Sequence, residues 1–212
     1  MRRALLGLAA AIPLWAYVFR SRRGNFWTRM TLGAGALGIF ALRSRPQLRR
    51  ELPKRRDLAI GAASAAGLYL IFQIGDRLSR RIMPAGEEDI ASVYRLRTLA
   101  PRPLIAAALV AVIGPSEELF WRGLVQDAFI KRFGRVRGTA LGAAAYGGTH
   151  LVTGNLTLTG AATVAGAYWG AEYALDQRLA PLLASHILWD VWIFLVAPTP
   201  TGRTQSRPST EP

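Results

Sequence analysis

The chain has 212 residues, 51% of them hydrophobic, and carries a formal net charge of +14. It contains no cysteine, which excludes a disulfide framework, a thiolate nucleophile and a thiolate metal ligand. The basic residues lie between apolar runs and not along one soluble face, so the composition favours a membrane protein and predicts no nucleic-acid partner.

Apolar runs of about the length that crosses a bilayer recur along the chain. They predict an all-α fold, a polytopic membrane bundle of six to seven transmembrane helices. The first run resembles a signal peptide, but Arg20, Arg22 and Arg23 follow it without a small-residue cleavage site, so we expect a retained span. The runs are 4–19, 26–42, 57–75, 102–130, 138–153, 156–175 and 179–197.

Several of these runs are rich in glycine and alanine, as in AIGAASAAGLYL, GTALGAAAYGG and TGAATVAGAYWGA. Small residues let helix backbones approach closely inside a membrane, where no hydrophobic force drives association. We interpret these runs as helix-packing surfaces.

The connecting segments indicate the topology. Segments 43–57 and 131–137 are strongly basic, whereas 151–160 has no charge. Because cytoplasmic loops carry the excess of Lys and Arg, the first two are expected on the cytoplasmic side and the third on the opposite side. Segment 84–103 has mixed charge and predicts an amphipathic helix at the membrane interface or an ordinary solvated loop helix.

Three parts of the chain are predicted from these patterns. Residues 1–101 form N-terminal membrane helices with an interfacial segment, 102–197 form a catalytic helical core, and 198–212 form a polar, proline-rich tail expected to be disordered.

The stretch EELFWR places acids and a base within an apolar run, where ionisable groups mark function by default. Glu118 and Arg122 are four residues apart and share one helix face, which predicts an ion pair. Glu117 points about 140° away from Arg122 and is left available as a general base. Trp121 shares the face of Glu117 and is expected to shield the site from lipid.

A structural interpretation of the two acids is also open. Gly114 and Pro115 precede them and are expected to interrupt the helix. Ser116, Glu117 and Glu118 would then occupy the first turn of a new helix, where acids favour the positive end of the dipole.

Both histidines of the chain, His150 and His186, lie in apolar runs. His186 and Asp190 are four residues apart, so the carboxylate is positioned to orient the imidazole. Burying Glu117 together with these groups costs free energy that packing alone does not require. We therefore expect the four side chains to meet in one polar intramembrane cavity.

Two chemistries suit such a cavity. A carboxylate and an imidazole activate water for amide hydrolysis, while a second imidazole stabilises the oxyanion. Glu117, His150 and His186 are also a ligand set for a divalent metal such as zinc. The spacing alone leaves both open.

Three motifs, EELFWR, YGGTH and HILWD, resemble in order the EExxxR, FxxxH and HxxxN motifs of the CAAX protease and bacteriocin-processing family. The resemblance covers roughly 102–197. It implies that Glu117 and His150 activate the attacking water and that Glu118 and Arg122 support the site.

The same resemblance assigns His186 to the oxyanion hole together with Asp190, which stands where the prenyl endopeptidases have Asn. An ionised Asp cannot donate to an oxyanion, so Asp190 is either protonated or orients His186. Tyr146 replaces the family Phe and adds a hydroxyl. Asp at this position is common among bacterial relatives.

These inferences predict an intramembrane endopeptidase acting on a peptide or membrane-protein substrate, within the lipid bilayer of a bacterial cytoplasmic membrane. Two alternatives are a non-catalytic regulator or scaffold of the same fold and, less favoured, an ion-coupled transporter with a Glu and His relay. A transporter would more typically show an inverted repeat, which is not evident in the sequence.

Overall fold

The computed structural model describes residues 1–50, 53–82 and 86–198. Within these ranges the backbone forms eight helices and no strand, which confirms the predicted all-α membrane bundle. The predicted disordered tail lies, after Pro198, outside the described residues. The helices are α1 (Arg2–Arg20), α2 (Phe26–Ser44), α3 (Arg55–Ile82), α4 (Gly86–Arg95), α5 (Arg102–Phe133), α6 (Arg135–Thr149), α7 (Leu156–Asp176) and α8 (Ala180–Val196).

Three of the described helices, α1, α3 and α5, have the length and hydropathy of a membrane span, and α8 is a shorter apolar helix. Helix α2 is long enough but contains Arg29 and Arg43, while α7 contains Glu172 among many small residues. Helix α6 has only 15 residues. The chain has the helices of an integral membrane protein, and the predicted six to seven spans remain a prediction.

Helix α5 lies between two apolar cores. On one side it packs with α1 and α2 around Trp15 and Phe120. On the other side a second core joins α3, α7 and α8 around Leu68, Trp169 and Leu182. Because α5 is central, its middle turns are buried and lie close to side chains from the neighbouring helices.

Glycines bring the helix backbones close together, as the small-residue runs predicted. A Cβ atom built on Gly147 of α6 would lie 2.0 Å from the Thr163 hydroxyl oxygen of α7. One built on Gly61 of α3 would lie 2.5 Å from Cβ of Ala184 in α8. These two crossings fix how α7 and α8 face the middle of the bundle.

The predicted break at Gly114 and Pro115 is wrong, because α5 runs through both residues as one helix. A π-helical turn at Leu109–Ile113 directly precedes them, and such a turn accommodates a proline that cannot donate to the preceding backbone. Glu117 and Glu118 therefore lie in the middle of a long helix, and not in the first turn of a new one.

Polar contacts between the ends of the helices and their connections show which helix ends lie together. At one end Arg3 donates to the Ser44 carbonyl oxygen over 2.9 Å, and Arg178 pairs with Asp57 over 2.7 Å. At the other end Arg20 donates to the carbonyl oxygen of Val152. Arg45 and Lys131 both pair with Asp127, so the described parts of 43–57 share the first end with 131–137, while 151–160 lies at the other end. This agrees with the predicted alternation, and the membrane side of each end stays a prediction.

The amphipathic segment forms α4 and packs against α3 and α7. Asp89 accepts a hydrogen bond of 2.9 Å from the Thr157 hydroxyl, and Asn155 donates to the Asp89 carbonyl oxygen over 2.9 Å. Its apolar residues Ile90 and Val93 face the protein interior and line a cavity there. One face of helix α4 therefore packs on the bundle, and its predicted position at the membrane interface stays a prediction.

Candidate functional site

A cavity of about 490 Å³ opens among the helices and is lined mainly by apolar side chains. Its lining includes five polar side chains of the predicted site, and four of them are the predicted catalytic residues. They come from α5, from the end of α6 and from α8, as the sequence predicted. These polar lining residues are Glu117, Tyr146, His150, His186 and Asp190.

Glu117 is buried and has one hydrogen-bond donor, the Tyr146 hydroxyl, at 2.8 Å from Oε2. Among the described residues, no other hydrogen bond reaches its carboxylate. The extra hydroxyl of Tyr146 therefore binds the proposed base directly. One carboxylate oxygen is held in place while the other remains free to act.

His150 caps the C-terminus of α6, where a short 3₁₀ turn begins. Its Nδ1 lies 2.9 Å from the Tyr146 carbonyl oxygen. A carbonyl only accepts, so Nδ1 carries the proton and donates. In the neutral ring Nε2 is then the unprotonated nitrogen and is available as a base.

His186 lies between two acids. Its Nδ1 is 2.7 Å from Glu118 Oε1, and its Nε2 is 3.5 Å from Asp190 Oδ2. The predicted partner Asp190 is thus the longer contact, and Glu118 makes the short hydrogen bond. Two flanking carboxylates stabilise a charged imidazolium electrostatically.

The predicted brace forms as expected. Arg122 Nη1 lies 2.9 Å from Glu118 Oε1, with both side chains almost fully buried. The guanidinium also lies over the Tyr146 ring at 4.7 Å and the Trp169 ring at 5.3 Å. Glu118 thus links Arg122 to His186 behind the cavity.

Trp121 does not line the cavity. It is buried against Tyr146, with ring centroids 5.2 Å apart, and against Trp15 of α1 at 6.4 Å. Helix α1 covers Trp121, which therefore supports Tyr146 from behind. Trp121 does not lie where a direct shield between the site and lipid was expected.

Trp169 is a residue that sequence reasoning missed. Its indole stacks on His186 with ring centroids 4.0 Å apart and an interplanar angle of 20°. Its Nε1 donates to the Ser185 hydroxyl over 2.9 Å. It belongs to a glycine- and alanine-rich run, where the adjacent aromatics Tyr168 and Trp169 were the available signal.

The possible metal ligands do not fit a metal ion in this arrangement. Among the described residues, no three His, Asp or Glu side chains are grouped closely enough to hold one. Both ring nitrogens of His186 face carboxylates, and Nδ1 of His150 is bound to backbone. Glu117, His150 and His186, all among the described residues, therefore share no coordination point.

Residues 99–192 match the family model of the type II CAAX prenyl endopeptidase Rce1-like proteins. Neither the curated proteins nor the solved structures gave a match. The matched segment is somewhat less than half of the chain and contains every predicted site residue.

The family consists of CAAX-type intramembrane peptidases, so the match supports a membrane-bound hydrolase of peptide bonds in general. It agrees with the resemblance carried by the three sequence motifs. The match of residues 99–192 to the type II CAAX prenyl endopeptidase Rce1-like family confirms the predicted resemblance.

Proposed function

We propose that the protein is an intramembrane endopeptidase that hydrolyses a peptide bond in a peptide or membrane-protein substrate with an activated water. The observation that carries this proposal is the convergence of Glu117, His150, His186 and Asp190 on one largely apolar cavity. Ionisable groups buried at such a place are expensive unless they serve a function.

The first chemical step is activation of water by Glu117 and His150. The free oxygen of the Glu117 carboxylate accepts a proton from water, and the new hydroxide attacks the carbonyl carbon of the substrate. Nε2 of His150 is the second proton acceptor, since Nδ1 is committed to the Tyr146 carbonyl oxygen. The C–N bond then breaks, and the proton passes to the leaving amine.

The second task is to hold the oxyanion of the tetrahedral intermediate. His186 donates through Nε2–H when its ring is charged, while Nδ1–H remains bound to Glu118. Asp190 lies 3.5 Å from Nε2 and orients the ring. The role of Asp190 is therefore positional, which removes the need for an ionised carboxylate to donate.

The mostly apolar lining suits an extended hydrophobic stretch of substrate beside the scissile bond. Asp190 at the family's Asn position follows the pattern of bacterial relatives. We therefore place the activity in a bacterial cytoplasmic membrane, where peptide maturation, including bacteriocin processing, offers suitable substrates. Because the residues do not fit a metal ion, no step of the proposed reaction uses a divalent metal such as zinc.

The test is a comparison of wild type with Glu117→Gln, which keeps the shape of the side chain and removes the base. We expect cleavage to fall at least about a thousandfold, since the combined loss of base and charge affects the reacting water directly. The effect is measured by comparing cells that produce wild type with cells that produce Glu117→Gln. The quantity compared is the set of N- and C-terminal peptides of membrane and exported proteins.

The matched control is Glu88→Gln, the same change on an exposed acid of α4. The control should cleave as wild type does, and both variants should insert and unfold normally. Normal cleavage by Glu117→Gln would reject the mechanism. If cells with wild type, Glu117→Gln and Glu88→Gln show the same terminal peptides and otherwise behave alike, the non-catalytic regulator is favoured.

A further inference from the structure

A second cavity, of about 540 Å³, lies at the end of the bundle opposite α4. It is formed by the N-terminus of α1, the C-terminus of α2 and the last turns of α5. Five of its lining residues are basic and one is acidic. The charged lining residues are Arg2, Arg3, Arg45, Lys131, Arg132 and Asp127.

Part of this charge has a structural explanation. Arg45 and Lys131 pair with the buried carboxylate of Asp127 over 2.6 Å and 2.9 Å. Bases at the C-terminal ends of α2 and α5 also interact favourably with the helix dipoles. These two bases need no ligand.

The remaining bases are different. Among the described residues, Arg2, Arg3 and Arg132 form no ion pair with a carboxylate. Arg3 donates to the Ser44 carbonyl oxygen and the Arg132 guanidinium lies 5.5 Å from the Phe133 ring, but neither contact supplies a countercharge. Arg2 and Arg3 lie in the first turn of α1, which contains no acid, so they oppose the dipole of their own helix. Like charges gathered around one concave surface repel each other unless an anion lies between them.

The position of the cavity indicates the kind of anion. It lies where α1 begins and α5 ends. Because both helices are candidate spans, we expect this end of the bundle to lie near the lipid headgroups. Basic pockets between membrane helices bind phospholipid headgroups through charge and hydrogen bonds to phosphate oxygens. The guanidinium forks of Arg2, Arg3 and Arg132 are suited to this chemistry.

We propose that this cavity is a phosphate-binding site, formed by Arg2, Arg3 and Arg132, which takes the headgroup of an anionic phospholipid. The site is separate from the candidate active site and independent of the proposed peptidase activity. Lipid bound there would join α1, α2 and α5 at the membrane surface.

The test uses the purified full chain in a neutral detergent, titrated separately with dioctanoyl-phosphatidylglycerol, dioctanoyl-phosphatidylcholine and inorganic phosphate. Native mass spectrometry measures each dissociation constant. Wild type should bind phosphatidylglycerol at least about tenfold more tightly than phosphatidylcholine, since each base near an anionic headgroup adds about a factor of five.

The double variant Arg2→Gln/Arg132→Gln should lose about tenfold in phosphatidylglycerol affinity. The matched control is Arg22→Gln/Arg23→Gln, which removes two exposed bases beyond the other end of α1. The control should bind as wild type does. The single variant Arg132→Gln tests the same site without altering the N-terminus and its insertion. We expect it to lose several-fold in phosphatidylglycerol affinity.

Equal binding of the two lipids, or an equal loss in the control, would overturn the proposal, because non-specific charge attraction would then explain the binding. If inorganic phosphate binds and competes fully with the lipid, and the double variant loses both, the phosphate site stands. Its ligand is then a free phosphate. If inorganic phosphate binds weakly or not at all, and phosphatidylglycerol still binds more tightly than phosphatidylcholine, the ligand is the lipid.

Discussion

Two buried ionic groups in this molecule have opposite characters. The Asp57–Arg178 pair joins α3 to the connection before α8, and both Asp57 oxygens accept from the guanidinium at 2.7 and 2.8 Å. The Lys54 backbone N–H donates to the same carboxylate. At the cavity, Glu117 has a donor on only one oxygen, and Nε2 of His150 has none among the described residues.

A structural charge and a reactive one differ in whether an atom of the charged group is left unbound. A buried carboxylate with every oxygen bound holds helices together, and it has no atom left for chemistry. A carboxylate with a free oxygen beside a cavity has an atom available for substrate. Burial alone does not distinguish the two, since Asp57 and Glu117 are both buried.

The largest effect is expected at Glu118, which holds helices together as Asp57 does and also contacts a residue of the cavity as Glu117 does. Glu118 is fully buried, pairs with Arg122 and binds His186. In Glu118→Gln the guanidinium loses its countercharge, and His186 is left with a neutral amide oxygen in place of a charged acceptor. We expect a loss of about 3–5 kcal/mol in unfolding free energy, and cleavage reduced at least about a hundredfold.

Unfolding in detergent and cleavage of a peptide substrate measure the two effects. Glu88→Gln is the control, because its exposed ion pair with Arg95 contributes little. A stable Glu118→Gln variant with normal cleavage would show that Glu118 neither braces the bundle nor positions His186.

The next test breaks the closed pair. Arg178→Gln leaves the Asp57 carboxylate buried without its guanidinium, and we expect the unfolding temperature to fall by several degrees. Cleavage per folded molecule should stay within about twofold of wild type, because neither residue lines the cavity. Arg178→Lys should recover part of the stability, since it restores charge without the fork. A large loss of catalytic rate in the folded variant would contradict the distinction.

The sequence predicted the local geometry of the site. Glu118 with Arg122 and His186 with Asp190 are neighbours by helical periodicity, and both pairs form. The contact of His186 with Glu118 joins residues 68 positions apart, and nothing in the spacing indicates it. Such contacts depend on how α5 and α8 cross, which is decided by packing.

Two further differences have physical causes. Gly114 and Pro115 indicated a helix break, but the preceding π turn absorbs the missing backbone donor. Trp169 was assigned to simple packing, because its run is dominated by small residues. Its stacking on His186 depends on how α7 lies against α8, which the spacing of the residues along the sequence does not indicate.

A smaller effect is expected from Tyr146→Phe, which restores the aromatic of the family motif and removes one hydroxyl. The Glu117 carboxylate then loses its donor at 2.8 Å, so its orientation and charge are less well controlled. We expect the catalytic rate to fall about tenfold or less, with little change in KM. Steady-state cleavage kinetics measure this split. A loss as large as that of Glu117→Gln would make Tyr146 part of the reaction, and not a support for the base.

The smallest effect concerns a hydrogen-bonded chain that leads away from the site. Ser64 donates to Glu172 over 2.8 Å, so the Ser185 hydroxyl donates to Ser64, and Trp169 donates to Ser185. This order uses each hydroxyl proton once and leaves the indole fixed at one edge. The ring face is thereby held against His186.

Trp169→Phe keeps an aromatic face for His186 but loses the anchored N–H. We expect the catalytic rate to fall roughly three- to fivefold with KM unchanged, because the imidazole is held less firmly. Ser185→Ala should give a similar loss by removing the acceptor. Trp15→Phe is the control, since the buried Trp15 Nε1 has no hydrogen-bond partner among the described residues. If Trp15→Phe lowers the rate as much as Trp169→Phe, loss of packing explains both, and the buried chain belongs with the Asp57–Arg178 pair as structure alone.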